Sequence, residues 1–259
     1  METTWQVPWL WRGLLVFARG LIFPFCRLRV SVEDPAALRG GPLILAANHV
    51  SPVDPIIMSA ACGLVGVAPR FLATGGVFRA PVAGWVMRKS GHLRVDRGTA
   101  QAAQALPEAA DALKANSIVL IYPEGRIGLD PWMWPERGKT GVARMAALSG
   151  APVLPVAQWG AHRVLPYAAP KGLAGALWRA LRRRPVVQVR FGRPVELDGL
   201  SGTAGAQAMH ATRRIVEALD ETLAVLRPGE MEIPRHVDRT RPVDMSRVRP
   251  RPAAPRPPG

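Results

Sequence analysis

The sequence predicts an α/β domain in which a mostly parallel central sheet is flanked by helices and preceded by an N-terminal amphipathic helical segment. Three observations carry this. From Gly41 onward, short apolar runs of strand length alternate with longer Ala-rich stretches of helical length, the pattern of repeated βα units. Before Gly41, Trp5 to Arg27 carries aromatic or aliphatic side chains at most positions, with Arg12, Arg19 and Arg27 spaced two turns apart near one side of a helix. After Leu226 the apolar clusters stop.

Taken in order, the first element is the N-terminal segment, residues 1–38. Trp and Arg flanking apolar residues resemble a helix that lies in a membrane surface. A first helix packed on the core, or two short helices broken at Pro24, fits the same residues. Arg12 and Arg19 interrupt the apolar run, so no stretch of about 18 charge-free apolar residues is available to span a membrane. Glu2 and the early Trp residues do not give the basic-then-apolar order of a signal peptide. The domain proper, residues 39–226, reads as buried strands at Leu43–Ala47, Ser117–Tyr122, Pro152–Ala157 and Val186–Phe191, with weaker ones at Phe71–Thr74 and His92–Val95. Helices are expected at Ile56–Ala61, Thr99–Ala115, Thr140–Ser149 and Thr203–Leu226. Residues 227–259 hold eight Pro and eight Arg, which predicts a disordered Pro/Arg-rich tail, either simply solvated or binding an anion.

Composition narrows the function class. Apolar residues are 48% of the 259, enough for a sizeable core. The formal net charge of +15 predicts attraction to anionic partners: nucleic acid, an anionic bilayer or a phosphorylated substrate. Two cysteines, Cys26 and Cys62, make no disulfide framework and point to a reducing compartment.

The residues that could carry chemistry sit where strands end, which is where ligand sites gather in parallel sheets. Leu43–Ala47 ends at Asn48-His49, and Asp54 precedes Pro55 and the next helix. Read alone, Asp54 is a helix cap and His49 a loop histidine. Read together, they are a catalytic pair: a neutral imidazole takes a proton from a hydroxyl while the carboxylate fixes its tautomer. The chain has no G-x-S-x-G elbow, so the hydroxyl would belong to a substrate. In "IYPEGRIG", Ile121 to Gly128, Pro123 ends a strand, Gly125 permits a tight turn, and Arg126 could grip a phosphate with two parallel bonds. An ordinary turn with a Glu124–Arg126 ion pair fits as well. In "GHLRVDRG", Gly91 to Gly98, Arg97 adds charge to the same pocket, or Asp96 and Arg97 close a turn. Lys139 precedes a helix N-terminus, which itself favours an anion.

In order along residues 41 to about 195, these stretches resemble the glycerophospholipid acyltransferase family, which includes the 1-acyl-sn-glycerol-3-phosphate acyltransferases. The blocks are Asn48–Asp54 for N-H-x4-D, Gly91–Arg97 for G-x-x-x-V-D-R, Tyr122–Gly125 for F-P-E-G and Val153–Val156 for V-x-P-V. "WPERGKTGVARMA" and "FGRPVEL" are similar to bacterial, particularly actinobacterial, members. The resemblance implies His49 as general base with Asp54 as its partner. It implies an acceptor-phosphate site from Glu124, Gly125 and Arg126 with help from Arg97, and no metal or bound cofactor. The partners implied are acyl-CoA or acyl-carrier protein, a lysophospholipid acceptor and an anionic membrane surface, with no nucleic acid expected. The location implied is peripheral, on the cytoplasmic face of the cell membrane. The sequence departs from the family where E-G-T-R becomes Glu124-Gly125-Arg126-Ile127, where Tyr122 replaces Phe, and at Thr74-Gly75-Gly76, where many members carry lysine. Rival readings are another lysophospholipid or glycolipid acceptor, a thioesterase, and a basic nucleic-acid-binding protein drawing on Arg182–Arg184 and the tail.

Overall fold

The computed structural model describes residues 5–96, 102–168, 172–230 and 235–249. The chain opens with helix α1 (Trp9–Ile22), strand β1 (Arg27–Val32), β2 (Leu43–Ala47) and α2 (Asp54–Leu64). It continues through β3 (Arg70–Thr74), the short helices α3 (Gly75–Arg79) and α4 (Pro81–Lys89), β4 (Leu93–Val95), α5 (Ala102–Lys114) and β5 (Ile118–Ile121). The last part holds α6 (Gly141–Ser149), β6 (Val153–Trp159), α7 (Ala161–Val164), α8 (Leu173–Arg183), β7 (Val186–Phe191) and α9 (Ala204–Leu226).

The seven strands form one sheet in the order β1-β7-β6-β2-β5-β3-β4. Every neighbouring pair is parallel except β6 and β7. β2 lies at its centre, and all five of its residues are buried, as expected for a strand covered on both faces. Leu45 and Ala47 enter a cluster with Leu15 of α1 and Ile57 and Ala61 of α2. Ile44 and Ala46 face the opposite way, into a cluster with Leu113, Met145 and Ile215 of α5, α6 and α9. Because β2 and β5 run parallel with Ala46 opposite Ile121, the His49 loop and the Glu124 loop leave the same edge of the sheet side by side.

The architecture is the expected α/β one, with two differences. Residues 1–38 are not wholly helical: α1 ends before Pro24, and "RLRVSV" forms β1, an edge strand parallel to β7. Its residues alternate between exposed and half-buried, which a half-covered edge strand tolerates. The tail beyond 226 is also not free throughout. Residues 235–249 lie against the domain as a strap, because their arginines donate to carbonyl and carboxylate groups that the loops leave open. Arg241 bonds to the Val50 and Gly128 carbonyls. Arg247 bonds to the Glu124 and Arg137 carbonyls, and Arg249 to Asp220.

Candidate active site

β2 delivers Asn48 and His49 to the sheet edge. Asn48 fixes the exit by exchanging bonds with β6: the Gln158 N–H donates to its Oδ1 at 2.7 Å, and its Nδ2 donates to the Gln158 carbonyl at 3.0 Å. The following turn wraps around Asp54. Its Oδ2 accepts from the Val50 and Ser51 N–H groups at 2.6 and 2.8 Å and lies 2.8 Å from His49 Nδ1. The carboxylate therefore points backward into its own turn and is not a cap on α2, where no side-chain cap bond forms. A carboxylate only accepts, so Nδ1 carries the proton and Nε2 is left to accept one. The Tyr122 ring stacks on the imidazole at 4.2 Å. With the carboxylate at one nitrogen and this ring on one face, the imidazole has a single orientation.

The second loop braces the first. Gly125 adopts φ +74°, closing the turn in which its N–H donates to the Tyr122 carbonyl at 2.9 Å. The buried Glu124 carboxylate accepts from the His49 N–H on one oxygen and the Glu136 N–H on the other, each at 3.2 Å. Burial pushes its carboxyl up to about 8, against the pull of those two N–H donors and Arg247. The Gly128 N–H returns a bond to the His49 carbonyl at 2.8 Å. There is no room for a side chain at Gly128, since a Cβ would lie 2.6 Å from Glu124 Oε2.

A cavity of about 670 Å³ runs from His49 beneath α2, α4 and α5. His49, Tyr122, Gly125 and Arg126 line one part of its wall, and Trp11, Ile56, Phe71, Val86 and Met87 give the rest a mostly apolar character. Arg126 is about a third exposed and meets Asp244 Oδ2 at 2.7 Å and Glu136 Oε1 at 3.3 Å through Nη2. Lys139 also lines the cavity.

The predicted residues thus separate. His49 and Asp54 meet, and His49, Gly125 and Arg126 line one cavity. Glu124 stands behind the cavity wall, where its carboxyl accepts from the backbone N–H groups of His49 and Glu136. Arg97 lies outside the described residues. Its neighbour Asp96 pairs with Arg94 at 2.7 Å and lies against Gly75 at the start of α3. Sequence reasoning missed Gln158, Glu136, Arg241 and Asp244. The two aspartates, Asp238 and Asp244, in an otherwise basic run were the signal available for the last of these.

Residues 29–159 match the family model described as Acyltransferase. The chain belongs to the acyltransferase family. A chloroplastic 1-acyl-sn-glycerol-3-phosphate acyltransferase of Brassica napus is 25% identical over 146 residues, which cover 56% of this chain and 41% of that protein. An N-acylphosphatidylethanolamine synthase of Arabidopsis thaliana is 29% identical over 193 residues, covering 69% and 65%. The crystal structure of the 1-acyl-sn-glycerophosphate acyltransferase PlsC from Thermotoga maritima shares the fold, with a TM-score of 0.58, 22% identity and coverage of 82% of this chain and 78% of that one. The acyltransferase's paired His49 and Asp54, its Glu124 brace and Asn48 clamp all fall inside the matched range.

Proposed function

We propose that this acyltransferase moves a fatty acyl group from acyl-CoA or acyl-carrier protein to the free hydroxyl of a lysophospholipid, 1-acyl-sn-glycerol 3-phosphate in the first instance, giving phosphatidic acid. The observation that carries the reading is the 2.8 Å contact of His49 Nδ1 with Asp54 Oδ2 beside a largely apolar cavity with Arg126 in its wall. His49 Nε2 takes the acceptor hydroxyl proton as the oxygen attacks the thioester carbonyl. The carbon–sulfur bond then breaks, and the imidazolium returns the proton to the leaving thiolate. Asp54 orients the imidazole and stabilises its cationic form. Arg126 holds the acceptor phosphate, turning a chance encounter into a positioned one. The apolar wall takes acyl chain. No enzyme nucleophile enters: both cysteines are buried, which pushes Cys26 up to about 11 and raises Cys62 as well.

The site of action is the cytoplasmic face of the cell membrane, reached peripherally. No described helix is long and apolar enough to cross a bilayer. α1 buries Trp11, Leu15, Ala18 and Ile22 while exposing Trp9, Val16 and Phe17. That outer face suits insertion at the lipid boundary.

The deciding experiment is acyl transfer from labelled acyl-CoA to 1-acyl-sn-glycerol 3-phosphate. His49→Ala should lower kcat by about 10²–10⁴-fold with the melting temperature preserved. Transfer at wild-type rates by that variant would end the reading, and product formed without acceptor would make the protein a thioesterase.

A further inference from the structure

The basic cluster Arg182–Arg184, unused by the chemistry above, ends a helix that is barely attached to the domain. α8 buries only Ala176 and Ala180, one turn apart. Leu173, Leu177 and Leu181 recur at every fourth position and Trp178 lies beside them, forming an apolar stripe. Leu173, Trp178 and Leu181 are 49%, 60% and 41% exposed. Arg179, Arg182 and Arg183 form the adjoining stripe, also exposed. No described element covers either stripe.

The patch continues onto α1. Arg184 donates to the Phe23 carbonyl at 2.9 Å, and its guanidinium lies 4.8 Å over the Phe23 ring. Arg27 donates to the Arg184 carbonyl at 3.1 Å. Phe23 itself is 67% exposed, and α1 carries Phe17 and Arg19 outward behind it. The sheet fixes where this composite face points. β6 runs parallel to β2 and β7 antiparallel to β6, with Trp159 opposite Gln188. β1 is parallel to β7, with Arg27 opposite Val186. The start of β7, the start of β1 and the exit of β2 to His49 therefore share one sheet edge. The Ser51 hydroxyl, donating to the Leu165 carbonyl at 2.6 Å, ties the His49 loop to the segment that leads to α8.

We propose that α8 and the end of α1 form one docking platform for an anionic bilayer, holding the catalytic edge against the headgroup layer. This rests on the reading of the acceptor as a lipid. Charge complementarity selects the occupant: guanidinium groups bordering Trp and Leu suit a surface that offers anionic headgroups above acyl chains. A nucleic acid would meet the arginines but leave the apolar stripe in water.

The test is flotation with phosphatidylglycerol-containing and pure phosphatidylcholine vesicles. It compares wild type, Trp178→Ser/Leu181→Ser, Arg182→Gln/Arg183→Gln and Phe17→Ser, all surface changes whose folding is checked by thermal melting. All three variants should each lose most binding to phosphatidylglycerol vesicles. Acylation of a short-chain acceptor dissolved as monomer should stay at the wild-type rate. Wild-type flotation by both α8 variants would overturn the proposal. So would tight duplex-DNA binding in a gel shift, abolished by the arginine variant, without any vesicle binding. Failure to acylate the short-chain acceptor would instead sink the acceptor reading, and flotation would still decide the platform.

Discussion

At the scale of single residues, Arg126 is held between two carboxylates with different freedom. Glu136 is buried and stays in place, whereas Asp244 is about a third exposed and can yield to solute. On the proposed role of Arg126, an acceptor phosphate would take its guanidinium in exchange for Asp244. Asp244→Asn should therefore lower the KM for 1-acyl-sn-glycerol 3-phosphate by about two- to fivefold, the range for a partly exposed ion pair, with kcat unchanged. Steady-state kinetics over acceptor concentration check this. Glu124 makes a second prediction. Burial raises its carboxyl from 4.5 to about 8, so between those values the folded protein keeps a proton that the unfolded chain releases. Stability from this group is full below the lower value and is lost as pH rises toward the upper one. Melting temperatures of wild type and Glu124→Gln, compared from pH 5 to 8, should shift steadily in favour of the Gln variant. The His49–Asp54 pair was legible because four intervening residues and a strand end confine it. The Arg126–Asp244 contact was not, since the partners are 118 residues apart and a single sequence carries no pairing information across that distance.

At the scale of elements, the strands with continuous apolar runs were legible, and the four helices expected between them fell within a few residues of their bounds, whereas α3, α4, α7 and α8 were not anticipated. β1 was missed although its alternation of period two is plain in "RLRVSV", because two arginines in a short run read more readily as the end of a basic helix. α1 shows why membrane affinity and folding need separating. It lies on α2 so closely that a Cβ on Gly63 would sit 3.3 Å from the Leu15 Cβ, and Trp11 Nε1 donates to the Pro69 carbonyl at 3.1 Å. Removing residues 1–30 takes away core as well as surface. Leu15→Ala should cost about 2–5 kcal/mol of stability, read by urea titration, without weakening vesicle flotation of the folded protein. The exposed face of α1 should behave in the opposite way.

At the scale of the whole molecule, the tail was read from composition alone, and composition does predict a segment unable to build its own core. It could not show that the domain supplies unsatisfied carbonyls for that segment's arginines to meet. Arg241 is the clearest case: its side chain is buried, with Nε 3.0 Å from Asp238 and the other two nitrogens on the carbonyls of Val50 and Gly128. It joins the loop after His49 to the loop after Arg126. Arg241→Ala should cost about 1.5–3 kcal/mol, the value of charged hydrogen bonds, and should lower kcat through loss of alignment. Calorimetry together with turnover measurements separates that outcome from a purely structural loss, in which kcat of the folded fraction stays constant.

The strap also imposes an order in time. Arg241 is translated 191 residues after Val50, the residue it fastens. On the ribosome the sheet and both reactive loops are complete in sequence long before their clasp emerges. A nascent chain can thus form its sheet with the loops still unpinned, and their full alignment waits until Arg241 has emerged.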